Sequence, residues 1–211
     1  MNFEIGEKFI VLRSTEIEEH HGRLPLMLGY GRAFGSGEHE TTRSCLEEME
    51  KLPVASMKRV LDLGCGTGIL AIAAVRMGAC SVVAVDPNPF AIEAASANIA
   101  LNGIRNKIRI IQGELKELKG IRFDLIMANL YGDVLLEIAH DIPLFLKPNS
   151  FLLLSGIHYD YHYEIKTAFL ELGFQLLKNR MLDEYTTLLF KRKSLSKRQP
   201  EENSSNGNLP V

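Results

Sequence analysis

Three glycines alternate in the stretch LDLGCGTG, at positions 64, 66 and 68, with Asp62 two residues ahead of the first. Glycines at this density let the main chain turn sharply and approach a ligand closely. The apolar run at residues 59–63 reads as a buried strand, and residues 68–77 read as an apolar helix. The amide groups that open such a helix favour a negative group in front of them. Asp86 closes the next apolar run, residues 81–86, where a carboxylate can accept both hydroxyls of a ribose. An adenosine-bearing ligand is therefore expected. The dinucleotide fingerprint needs glycine at its first, third and sixth positions; here those are Gly64, Gly66 and Ile69, so it fails. A Walker loop fails for want of its lysine. Glycines at 64, 66 and 68 behind Asp62 instead suit S-adenosylmethionine, whose carboxylate matches the amides and whose amine matches a nearby acid. For the glycines alone, a plain strand-to-helix turn is the alternative.

A second candidate is GYGRAFGSGEHETTRS, residues 29–44, with four glycines, one histidine and two threonines. It could cradle a phosphate, hold a metal or cover another ligand. His39 has Glu38 and Glu40 beside it, but neighbours in sequence do not face one point, which argues against a metal. Glu114 follows the third sheet strand, either near an adenine or as a solvated loop acid. Asn129 ends the fourth strand, where it either serves a ligand or caps the helix that follows. Cys65 reads as a small turn residue. HYDYHY, residues 158–163, places three tyrosines and two histidines beyond the fifth strand. It is expected either to border an acceptor pocket, where aromatic faces attract an ammonium, or to form an exposed helix start. His158 and His162 have no evident third metal ligand.

These residues need a scaffold to bring them together. Residues 8–14 and 23–30 read as two opening strands. The spacing of Cys45, Leu46, Met49 and Leu52 gives a helix over residues 41–52, stopped by Pro53. Strands at 59–63, 81–86, 107–113, 122–130 and 150–157 then alternate with helices at 68–77, 89–101, about 132–140 and about 161–172. Continuous apolar strands alternating with helices mean a parallel sheet covered on both faces. Two further strands, FQLLKNRML and YTTLLFKRK, are separated by Asp183-Glu184 and form a hairpin. The expected fold is α/β, with a mostly parallel seven-stranded sheet ending in an antiparallel hairpin and preceded by a strand pair. Residues 1–193 form one domain, and the polar stretch 194–211 a disordered tail.

Composition excludes other classes. Of 211 residues 46% are hydrophobic and the net charge is −2, so a core is affordable and a dedicated nucleic-acid surface is not expected. Arg76 and Gly78 break the longest apolar region, which is no membrane span. The start carries no signal-peptide pattern, and Cys45, Cys65 and Cys80 lack zinc-site spacing, which suggests a reducing, cytoplasmic setting. The basic run 191–198 and the His20-His21 pair read as solvated.

VLDLGCGTGILAIAAVRMGA with VDPNPFAIEAASANIALNG resembles class I methyltransferases, whose sheet has a Rossmann-like fold. With AFGSGEHETTRSCLEEME, MANL and LSGI in order, the chain is similar to the PrmA-type methyltransferases, which methylate the eleventh protein of the large ribosomal subunit. The resemblance implies that the glycine-threonine loop folds over S-adenosylmethionine as a lid, residues 31–42, with Thr42 at the cofactor site. It also implies that Gly64 lies under the methionine part, that Asp86 takes the ribose and that Asn129 sits beside the methyl group. Asn129-Leu130-Tyr131 stands where amine and amide methyltransferases often carry Asn-Pro-Pro-Tyr. Family members carry a further N-terminal domain that recognises the ribosomal protein, and the chain is expected to lack it. The expected activity is methyl transfer to an amine nitrogen of a protein. The candidate site comprises Thr42, Asp62, Gly64, Gly66, Gly68, Asp86, Glu114 and Asn129, the last also catalytic, without a metal. The alternatives are a small-molecule N- or O-methyltransferase, or an inactive partner subunit that binds the cofactor. Nothing in the sequence fixes the oligomeric state.

Overall fold

Strands rich in valine, isoleucine and leucine can be buried on both faces, and five of them build the centre of the molecule. In the computed structural model, residues 2–13, 22–29 and 34–193 are described. In chain order the elements are β1 (Phe3–Ile5), β2 (Phe9–Leu12), β3 (Leu24–Met27), α1 (Glu40–Met49), β4 (Val60–Leu63), α2 (Ile69–Arg76), β5 (Val82–Asp86), α3 (Pro89–Leu101), β6 (Ile108–Gln112), β7 (Phe123–Asn129), α4 (Gly132–Ile138), β8 (Leu146–His158), α5 (Tyr159–Glu171), β9 (Phe174–Met181) and β10 (Tyr185–Arg192). The main sheet has the order β6-β5-β4-β7-β8-β10-β9. From β6 to β8 neighbours run parallel; β10 is antiparallel to both β8 and β9.

Each of the five parallel strands divides its residues between two cores. Val60, Ala84, Leu125, Met127 and Leu153 face α1, α2 and the small opening sheet. Leu61, Val85, Ile126, Ala128, Leu152 and Leu154 face α4 and α5, with Phe169, Phe174 and Phe190 packed together beyond them. This two-sided burial removes the polar alternation that marks a half-solvated strand. Chain order reverses between β4 and β7, so the loops at their carboxyl ends part and leave a crevice there.

Three differences from the sequence reading have local causes. The two expected opening strands are β2 and β3, which run parallel to each other, and β1 adds a third strand antiparallel to β2. β1 has three residues, too few to display a period. β8 begins at Leu146, ahead of the expected Ser150, because Pro148-Asn149 reads as a turn; Asn149 holds a positive φ of 60° inside the strand. α5 begins at Tyr159 rather than near Tyr161, since His158 caps it through Nδ1. The expected tail 194–211 and the His20-His21 pair lie outside the described residues, as do residues 30–33 of the opening loop.

Candidate active site

The glycine turn is held by hydrogen bonds within the chain. Gly66 donates its N–H to Oδ2 of Asp86 at 3.0 Å, and Asn88 donates to Oδ1 at 2.9 Å. Asp86 is thereby fixed at the end of β5, 9% exposed, with lone pairs still free for hydroxyl donors. A Cβ at Gly66, whose φ is 53°, would overlap the Phe34 carbonyl, so only glycine fits there. Asp62 lies below the turn, 1% exposed, and accepts the Ala71 N–H at 2.9 Å in the first turn of α2. Burial pushes its carboxyl up to about 8, and the Ala71 hydrogen bond only partly opposes the rise. Burial also pushes the neighbouring Cys65 thiol up, which disfavours the thiolate and fits a turn residue rather than a nucleophile.

A cavity of about 450 Å³ opens above this turn, at the carboxyl ends of β4 and β7. Gly64, Gly66, Asp86, Glu114 and Asn129 all line it. Thr42, Asp62 and Gly68 stand behind its wall. Gly68 caps α2 in a left-handed conformation, with α3 close behind it. Thr42 is buried and its Oγ1 accepts a hydrogen bond of 3.3 Å from Nδ2 of Asn129. Glu114 reaches solvent, where its carboxylate pairs with Lys116 at 2.7 Å.

Asn129 carries the least satisfied group at the site. Its Oδ1 is buried without a hydrogen-bond partner. Gly156 closes in behind it: a Cβ there would stand 2.9 Å from that oxygen and 2.6 Å from the Leu130 carbonyl. At a φ of 76°, Gly156 lets β8 pass close to the end of β7. A polar floor lies below, where the Ser155 and Thr187 hydroxyls are 2.8 Å apart and Ser155 donates to the Thr41 carbonyl at 3.4 Å.

The opening loop contributes a strap. The Thr67 N–H donates to the Phe34 carbonyl at 2.9 Å, and its Oγ1 donates to the Gly35 carbonyl at 2.6 Å. Asn98 of α3 donates to the Thr67 carbonyl at 2.9 Å and accepts from Gly29 N–H at 2.8 Å. Phe34, His39 and Thr41 are thus carried to the cavity. His39 caps α1 by accepting the Thr41 N–H on Nδ1. Its ring lies 5.3 Å from those of Phe34 and of Tyr185, which comes from β10.

Of its two expected forms the aromatic run at residues 158–163 takes the second, a helix start, and none of its residues lines the cavity. With α5 starting at Tyr159, the run is spent on packing. Tyr159 donates its hydroxyl to the carbonyls of Leu182 and Asp183, and Tyr161 covers Gly132 at the start of α4. His162 bonds the Thr186 hydroxyl at 3.2 Å, and Tyr163 is 74% exposed. Only the His158 ring comes near, 5.9 Å from Tyr185. Tyr185, Phe34, Thr67, Asn98 and Gly156 were missed as site residues. The glycine-threonine composition hinted at Thr67, and the SGI motif holds Gly156. Tyr185 gave no signal, because its place depends on a strand pairing remote in sequence.

The family model for ribosomal protein L11 methyltransferase (PrmA) matches residues 2–193. A ribosomal protein L11 methyltransferase of Pelobacter propionicus is 39% identical over 193 residues, covering 89% of this chain and 62% of its own. That of Geobacter metallireducens is 36% identical, covering 88% and 61%. The chain thus spans about 60% of the length of these relatives. The crystal structure of a ribosomal protein L11 methylase from Lactobacillus delbrueckii subsp. bulgaricus superposes with a TM-score of 0.83 at 30% identity, over 92% of this chain and 99% of that one. A Thermus thermophilus 16S rRNA N2 G1207 methyltransferase, solved with AdoMet and guanosine, gives a TM-score of 0.63 at 25% identity over 76% and 45%. The chain has the class I methyltransferase fold and belongs to the ribosomal protein L11 methyltransferase (PrmA) family.

Proposed function

We propose that the chain binds S-adenosylmethionine and transfers its methyl group to an amine nitrogen of a protein, with ribosomal protein L11 as the first acceptor to test. The family supports protein methylation. The nitrogen target is supported by one observation: Asn129 lines the cavity, and its amide oxygen is buried there without a hydrogen-bond partner. An amide oxygen only accepts, so it suits an incoming donor, of which the N–H of an amine is one.

The cavity's residues fit the cofactor. In this reading Gly64 and Gly66, which line the cavity, bring the backbone close to its amino-acid part, and Asp86 accepts the ribose hydroxyls. Asp62 and Thr42 support this site from behind, through the first turn of α2 and through Asn129. When bound, S-adenosylmethionine supplies a methyl already activated on a sulfonium. The chain must then align the acceptor, and alignment alone is worth roughly 7–11 kcal/mol of barrier. A lysine amine must also be neutral, which at pH 7 costs about 4–5 kcal/mol from its reference pKa of about 10.4. The apolar lining of Leu63, Leu115, Leu130, Val134 and Ile138 disfavours the ammonium and lowers that cost, while the carboxylates of Asp86, Glu114 and Glu137 in the same lining act against it. Asn129 holds the neutral amine by one N–H and leaves its lone pair free for the methyl.

Radiolabelled methyl transfer to recombinant L11, followed by acid hydrolysis, tests this reading. Label recovered as methylated lysine or a methylated amino terminus supports it. Base-labile label would point to a carboxyl oxygen instead, and label only in small molecules of a cell extract would remove the protein acceptor.

A further inference from the structure

Glu40 is the first residue of α1, and its carboxylate reaches across the molecule to the turn between β9 and β10. Oε2 accepts the Asp183 N–H at 2.9 Å and Oε1 accepts the Glu184 N–H at 3.2 Å. Each oxygen takes one of two successive backbone donors, as in a backbone anion nest. The same turn is gripped from the other side. Tyr159 donates its N–H to the Glu184 carbonyl at 3.3 Å and its hydroxyl to the carbonyls of Leu182 and Asp183. The residue after this doubly held turn is Tyr185, which lines the cavity with its ring between His39 and His158. Glu40 and His39 are adjacent, so one short segment sets both partners of the His39–Tyr185 contact.

We propose that Glu40 is a positioning residue: by clamping the β9–β10 turn it fixes the Tyr185 ring at the cavity mouth, and the ring in turn guides the acceptor amine. The acceptor half rests on the methyl-transfer reading above. The clamp itself does not. An edge-to-face ring pair needs centroid and tilt held together, and Tyr185 has no side-chain hydrogen bond among the described contacts to hold it. The turn supplies that restraint. Glu40 touches none of the cavity surface, so its loss should spare cofactor binding.

The chain contains no tryptophan, so Tyr185→Trp places a single fluorescent indole at the mouth. Adding Glu40→Gln, which removes the charge and leaves one acceptor atom where two oxygens each held an amide, should shift its emission to the red and raise quenching by acrylamide. Unchanged emission and quenching would overturn the clamp, whatever the acceptor is. The kinetic arm uses recombinant L11. Glu40→Gln and Tyr185→Leu should each raise the KM for L11 by about three- to tenfold, from the worth of an aromatic contact, with kcat nearly constant. For Glu40→Gln, which lies off the cavity surface, the thermal shift produced by S-adenosylhomocysteine should match that of the parent. The double variant should be no worse than Tyr185→Leu, because Glu40 acts through that ring; multiplied effects would mean independent action and overturn the proposal. If the parent does not methylate L11, the acceptor reading falls while the fluorescence result still decides the clamp.

Discussion

Asn129 ends β7 with its amide nitrogen committed to Thr42 and its oxygen left unpaired at the cavity. Asn129→Ala should therefore lower kcat/KM for an amine acceptor by about ten- to hundredfold, the worth of a hydrogen bond to a group that gains charge. Its affinity for S-adenosylhomocysteine should change little; equal kinetics in variant and parent would remove its role. Asp62 is a different case. Its carboxyl titrates near 8 in the folded state, against an ordinary value of about 3.8. Between those values the folded chain holds a proton that the unfolded chain has released, so stability falls as pH rises from about 4 to about 8. Asp62→Asn keeps an acceptor for the Ala71 amide and should flatten that part of the stability profile. A parent whose midpoint in denaturant is as flat as the variant's would show that the acid is not raised. Residues at strand ends, such as Gly64, Gly66, Asp86 and Asn129, were legible because chain order alone brings those ends together at a switch point. Thr42 was placed by resemblance, and the structure sets it behind Asn129 rather than in the cavity.

The strap and the glycine turn depend on each other at the scale of elements. Thr67 holds two carbonyls of the strap, and Asn98 holds the Thr67 carbonyl from α3. Thr67→Val keeps shape and backbone but leaves the Gly35 carbonyl unpaired, at about 1–3 kcal/mol. The strap should then part more often from the turn. Glu38 lies in this segment and its side chain is exposed, so cleavage after Glu38 by a glutamate-specific protease should quicken in the variant. Equal cleavage in variant and parent would show that the bond does not hold the strap. Most elements could be read directly, since the five central strands carry continuous apolar runs and α3 is bounded by Asn88 and Asn102. What escaped reading was pairing. β1 is too short to show a period, and no local pattern states that β2 and β3 run parallel or that β10 inserts between β8 and β9. Tyr185 was lost with that last pairing.

Helix α1 joins parts of the molecule that are far apart in sequence. At its far end the Glu50 carboxylate accepts the N–H groups of Glu7 and Lys8, at 3.1 and 2.8 Å, and so holds the turn between β1 and β2. Along its side Glu47 and Glu48 meet Arg180 of β9, and the buried Glu48 carboxylate also pairs with Lys51 at 2.7 Å. Glu40 holds the β9–β10 turn at the near end. The small opening sheet and the last hairpin are thus anchored to one rigid element, whose first turn lies beside the cavity. A ligand that fills the cavity should steady all three together. At 100 times its dissociation constant, S-adenosylhomocysteine should stabilise the fold by about 2.7 kcal/mol. Hydrogen exchange should show where that gain is felt. Slowed exchange is expected at Gly66 and Asn88, whose amides meet Asp86, and also at Glu7, Lys8, Asp183 and Glu184, whose amides meet α1. Protection confined to the glycine turn would mean that α1 joins these parts without transmitting the ligand's effect. Protection at both remote turns, lost at Glu7 and Lys8 alone in Glu50→Gln, would assign the transmission to the helix and its carboxylates, because that substitution touches neither the cavity nor the hairpin.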